Sequence, residues 1–117
     1  MQIELDAFSG RPNPRWNLSG EQQAEFLKRL HALKTSPSAS STANGLGYRG
    51  FLVRQNGKSD DAFDEMRIYR GTVVVLRGDH SETLADSGRE LERWLLASAQ
   101  GHVEDSVLQY VSTDFTR

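Results

Sequence analysis

The sequence predicts an α+β fold: a small, mainly antiparallel sheet of three to four strands with helices packed on one face, in the order β-α-β-β-(β)-α-α. Three observations predict it. Apolar residues alternate with polar ones near the start, apolar residues recur at helical spacing after Ser19 and again after Asp86, and short runs of branched and aromatic residues fill the middle.

Each element follows from its residues. In residues 2–8, Ile3 and Leu5 alternate with Gln2, Glu4 and Asp6, which predicts a first strand ended by Gly10 and Pro12. Residues 9–16 then concentrate turn formers, Ser9-Gly10-Arg11-Pro12-Asn13-Pro14-Arg15-Trp16, and the expectation there is an ordered loop without regular structure. Ser19 with Gln22 three residues on makes a capping box, and Phe26, Leu27, Leu30 and Leu33 share a helical stripe, so a helix is expected over residues 20–34. Residues 35–47 shift to Ser, Thr, Ala, Asn, Gly and Pro, a composition suited to a flexible loop.

Tyr48, Phe51, Leu52 and Val53 predict a second strand, with Asn56-Gly57 fit for a tight reversal. Residues 66–69 and 72–76 flank Arg70-Gly71 and predict a hairpin or one bent strand. In the last third, Leu91, Trp94 and Leu95 fall on one helical face, with Asp86 or Ser87 as N-cap and Gly101 as the stop. Val103, Val107, Leu108 and Val111 continue into a shorter helix with a frayed tail after Ser112. The sheet's other face would meet solvent or a partner, which is compatible with a homodimer.

The 117 residues suit one globular domain, 1–117. A net charge of -2 with interspersed signs argues against nucleic-acid or membrane partners. No segment reaches the roughly 20 apolar residues of a membrane span, and the N-terminus lacks the pattern of a secretory signal, so the cytoplasm is the default compartment. The absence of cysteine removes disulfides, thiolate catalysis and cysteine-rich zinc sites.

The strongest functional candidate is the 9–16 loop. Gly10 lets the backbone approach a ligand, the prolines lower the entropy of ordering, and Arg11 and Arg15 supply planar donor forks suited to carboxylate or phosphate. Ser9, Arg11, Asn13, Arg15 and Trp16 are therefore the expected ligand-binding residues, for a protein partner or a small anionic ligand. The competing reading gives the prolines and Asn13 a turn-shaping role and makes Trp16 a core anchor.

The string Phe8-Ser9-Gly10-Arg11-Pro12-Asn13-Pro14, followed by Trp16 and Leu18, and the later Leu91-Glu92-Arg93-Trp94-Leu95-Leu96 resemble a family of small bacterial domains to which no activity is attached. The resemblance implies a real domain and brings no ligand with it.

Other constellations carry less. Asp60, Asp61, Asp64 and Glu65 crowd together without the alternation and central glycine of a calcium loop, and read as a solvated acidic turn. His80 with Asp79 and Glu82, or His102 with Glu104 and Asp105, lack metal-ligand spacing on a helix, so no metal or cofactor is expected. There is no nucleophile elbow, phosphate loop or dinucleotide fingerprint, and hence no pattern that names a reaction. A small enzyme built on the same loop with Asp6, Glu4 or a histidine, and a structural subunit of a homo-oligomer, are the alternatives to a binding module.

Overall fold

A computed structural model describes residues 1–7, 12–35, 48–55 and 63–116. The strands are β1 (Gln2–Leu5), β2 (Arg15–Asn17), β3 (Lys34–Thr35), β4 (Phe51–Arg54), β5 (Glu65–Tyr69), β6 (Thr72–Arg77) and β7 (His80–Ala85). The helices are α1 (Gly20–His31), α2 (Glu90–Ser98) and α3 (Asp105–Ser112), with 3-10 turns at Ser87–Arg89 and Thr113–Thr116.

The seven strands form one antiparallel sheet in the order β2-β1-β4-β5-β6-β7-β3. This corrects the expected three to four strands carrying helices on one face in a β-α-β-β-(β)-α-α order: a sheet of this width is the principal element. Three strands account for the difference. Arg15–Asn17 pairs with β1 although no regular structure was expected through residue 16, because the ladder bonds to β1 outweigh the turn-forming composition around it. The amide of Leu5 donates to the carbonyl of Pro14 at 3.0 Å, and Ile3 sits opposite Trp16. Lys34–Thr35 lies along β7 where the helix was expected to continue. His80–Ala85 is almost wholly polar, with only Leu84 buried, so hydrophobic alternation is faint there.

Register decides what each face carries. Ile3, Leu5, Phe51, Val53, Met66, Ile68, Val73, Val75 and Leu84 fall on a common face through the pairings Ile3 with Val53, Phe51 with Ile68, Met66 with Val75 and Val73 with Leu84. They form one core with Phe26 and Leu30 of α1, Leu91 and Leu95 of α2, and Val107 and Val111 of α3. Each such side chain contributes about 1.5–3 kcal/mol by leaving water.

Local signals that agree with sheet and core are observed. Ser19 and Gln22 form both bonds of the capping box. α1 ends at His31, a turn before the expected boundary. Residues 70 and 71 make the two-residue turn between β5 and β6, both with positive φ (47° and 81°). That geometry matches the twist of a hairpin but burdens Arg70, since only glycine adopts it freely. The N-cap position of α2 is Arg89, not the expected Asp86 or Ser87, but the Asp86 carboxylate still accepts from the first-turn amides of Leu91 at 2.9 Å and Glu92 at 3.1 Å. The expected frayed tail is instead a 3-10 turn, because Phe115 is buried under Arg89 and Arg93. The flexible loop expected at 35–47 and the Asn56-Gly57 reversal lie outside the described residues, apart from Thr35 in β3. No helix among the described residues is long and apolar enough to cross a membrane.

Candidate functional site

The alternation that sends Ile3 and Leu5 into the core sends Glu4 and Asp6 to the opposite face, the open one. There both carboxylates are buried, with side chains only 8% exposed. An unpaired carboxylate in that setting would be costly, so the composition around it is the informative feature.

Glu4 sits beneath two guanidiniums. Arg15 of β2, directly opposite in the ladder, donates from Nε to Oε1 at 3.0 Å, and Arg54 of β4 donates from Nη1 to the same oxygen at 2.8 Å. Arg54 also reaches Glu65 of β5 through Nη2 at 3.0 Å. Asp6 takes two more: Arg49 donates from Nη2 at 2.8 Å and Arg67 from Nη1 at 3.1 Å, while Arg67 Nη1 also meets the carbonyl of Arg49 at 2.8 Å. Asn13 links the two halves, donating from Nδ2 to Glu4 Oε2 at 3.0 Å and to Asp6 at 3.5 Å, and accepting the amide of Ala7 at 3.2 Å.

The backbone sets this up. Asp6 exchanges main-chain bonds with the segment entering β4, through its amide to the carbonyl of Gly50 and the amide of Arg49 to its own carbonyl. Gly50 has φ 98°, and a Cβ there would collide with the Ile68 carbonyl and the Tyr69 side chain. Glycine is therefore what allows the chain to lie against β5 with Arg49 over Asp6.

Burial by itself would raise the pKa of Glu4, but the hydrogen bonds from Asn13 and Arg54 and the charges of Arg15 and Arg54 outweigh it and hold the carboxyl below its ordinary value. The hydrogen bond to Glu4 raises Arg54 in turn, against its own partial burial. Glu4 is thus an ionised holder of arginines at neutral pH, which is the opposite of what a proton donor requires.

The donors left over define what the face can do. Arg15, with a side chain 59% exposed, uses Nε alone and leaves its terminal Nη fork without an acceptor among the described residues. Arg67, 31% exposed, leaves Nε and Nη2, the two donors along one edge of its guanidinium. Nε of Arg49 is buried with no acceptor. Among the described residues, four guanidiniums, Arg15, Arg49, Arg54 and Arg67, meet three carboxylates, Glu4, Asp6 and Glu65, which leaves one positive charge over.

Of the residues expected to bind, Asn13 and Arg15 belong to this face, whereas Ser9 and Arg11 lie outside the described residues. Trp16 points the other way. It is 5% exposed, packs edge-on to Phe51 and parallel to His102, and donates from Nε1 to Ser98 Oγ at 3.4 Å, so it anchors the hairpin to α2. Arg49, Arg54 and Arg67 were not among the residues expected to bind. The usable signal was alternation: Arg54 and Arg67 have the parity of their strands' outward positions, but pairing them with Glu4 and Asp6 requires the strand order.

A second ionic cluster lies inside the molecule. Glu92 of α2 is fully buried and accepts from Arg89 through Nε at 3.0 Å and Nη2 at 2.7 Å, from the amide of Gly71 at 3.4 Å and from the hydroxyl of Tyr48. The Arg89 guanidinium lies 4.0 Å above the ring of Phe115.

The remaining constellations disperse. Asp64 accepts the amide of Gly78, Glu65 joins Arg54, and Asp60 and Asp61 lie outside the described residues. His80 meets only Asp79, in full solvent, and His102 stacks on Trp16. No group of three acidic or histidine side chains among the described residues could hold a metal ion. Compared with protein-family models, with curated proteins and with solved structures, the chain matches none.

Proposed function

We propose that this protein is a binding module that holds an acidic group on the open face of its sheet, with Asn13 and Arg15 at one end and Arg49, Arg54 and Arg67 across the strands. One observation carries the reading: two buried carboxylates, Glu4 in β1 and Asp6 just after it, fix four arginines, yet Arg15 and Arg67 each keep a pair of donors without an acceptor among the described residues. Guanidiniums held in this way lose little rotamer freedom when an anion arrives, which favours recognition over a merely solvated charged surface.

The depressed pKa of Glu4 favours binding over acid catalysis, since the group most embedded in the site does not exchange a proton near neutrality. A thermal-shift screen of carboxylates, phosphates, nucleotides and sugars tests the proposal. A bound anion at 100 times its dissociation constant adds about 2.7 kcal/mol to stability. The expected result is a rise in Tm with an anionic class that disappears in Arg67→Ala. A rise that persists in both Arg15→Ala and Arg67→Ala would move the site elsewhere.

A further inference from the structure

The open face is not uniform, and the contrast across it suggests what the bound anion carries. Register places Val74 of β6 directly beside Arg67, and Thr83 of β7 beside Val74. In the next row on the same face, Leu76 lies beside Glu65 and Ser81 beside Leu76. Val74 is half-buried, and Leu76, at 39%, is one of two exposed large apolar side chains among the described residues. Register therefore sets a short apolar strip, Val74 and Leu76, on the β6 side of Arg67, while Nη1 of Arg67 is taken by Asp6.

Resting on the binding reading above, we infer that the ligand is a small monocarboxylate with an apolar body, its carboxylate on the Nε and Nη2 edge of Arg67 and its body along Val74 and Leu76. A planar carboxylate matches that edge with two parallel bonds. One uncompensated positive charge matches one negative charge, and a dianion such as phosphate would add a net negative charge beside the buried carboxylates of Glu4 and Asp6. The apolar strip adds affinity only for a ligand with surface to bury.

The test is a titration of the intact protein with phenylpropanoate, phenylpropanamide, acetate and inorganic phosphate, followed by NMR of arginine Nε–H groups and of valine and leucine methyls. The inference expects phenylpropanoate to shift Arg67 Nε together with the methyls of Val74 and Leu76, and to bind at least about tenfold more tightly than acetate or the amide. Arg67→Lys, which keeps the charge and removes the fork, should weaken it by about tenfold or more. Leu76→Ser, which removes no member of an ion pair, should weaken phenylpropanoate while leaving acetate unchanged.

If phosphate or acetate shifts Arg15 and Arg67 as strongly as phenylpropanoate, or if the methyls stay still, the apolar monocarboxylate is overturned while the anion-binding reading stands. If none of the anions shifts any of Arg15, Arg49, Arg54 or Arg67, both fall.

Discussion

The molecule holds two arginine–carboxylate clusters, and they are built to different ends. Around Glu92 the donors converge on one carboxylate: Arg89 from one turn earlier, the Gly71 amide from the β5–β6 turn and the Tyr48 hydroxyl from ahead of β4, with Phe115 closing the stack. Arg89 is only 18% exposed and its Nε and Nη2 both go to one carboxylate. Around Glu4 and Asp6 the carboxylates are nearly as deep, but their arginines are 30% to 59% exposed and each gives only part of its donor set. The lesson is that burial of the acid does not set the role of an ion pair. What the arginine has left to give does.

That contrast can be broken most decisively at Glu92. Glu92→Ala removes the buried carboxylate that accepts from the Arg89 guanidinium and the Tyr48 hydroxyl, and loss of one member of a buried pair costs about 3–5 kcal/mol. Urea unfolding should register that loss, and a change under about 1 kcal/mol would mean that water replaces the carboxylate and that the cluster is not a structural lock.

Asp6→Ala should cost less, about 1–2 kcal/mol, because Arg49 and Arg67 can turn toward solvent when their acceptor is removed. The same variant should lower anion affinity, since Arg67 is no longer fixed. Equal destabilisation by Asp6→Ala and Glu92→Ala would erase the distinction between the two clusters.

The pH dependence of Glu4 sharpens the comparison. Its folded pKa lies below the unfolded value, so its ionised form contributes stability above about pH 4.3, and that contribution is lost as pH falls through the lowered folded value. Glu4→Gln should therefore be less stable than the parent at neutral pH, and the gap should narrow on acidification below pH 4. A gap that stays constant down to pH 2 would assign the effect to shape rather than charge.

The smallest effect is expected at Arg15. It is the most exposed of the ring, and Arg15→Ala should change stability by no more than about 0.5 kcal/mol while weakening anion binding. A large drop in Tm for this variant would make the arginine a fastener of the β1–β2 hairpin instead.

Much of this arrangement is local and so was visible in the order of residues. Alternation near the start divides Ile3 and Leu5 from Glu4 and Asp6, the capping box at Ser19 starts α1, and Arg70-Gly71, read from sequence as a hairpin or a bend, turns β5 into β6, because each depends on neighbours within a few positions. The prominence of Asn13 and Arg15 was visible too, although the neighbouring Trp16 took the opposite face through the same two-residue period. Strand order was not visible. It is decided by which apolar faces pack together, and it alone brings Arg49, Arg54 and Arg67, more than forty positions along the chain, onto Glu4 and Asp6. The extra strands escaped for a related reason. Arg15–Asn17 and His80–Ala85 bring one buried apolar side chain each, Trp16 and Leu84, and Lys34–Thr35 brings none, so they are held largely by ladder bonds, and a pairing made by backbone leaves little trace in side chains.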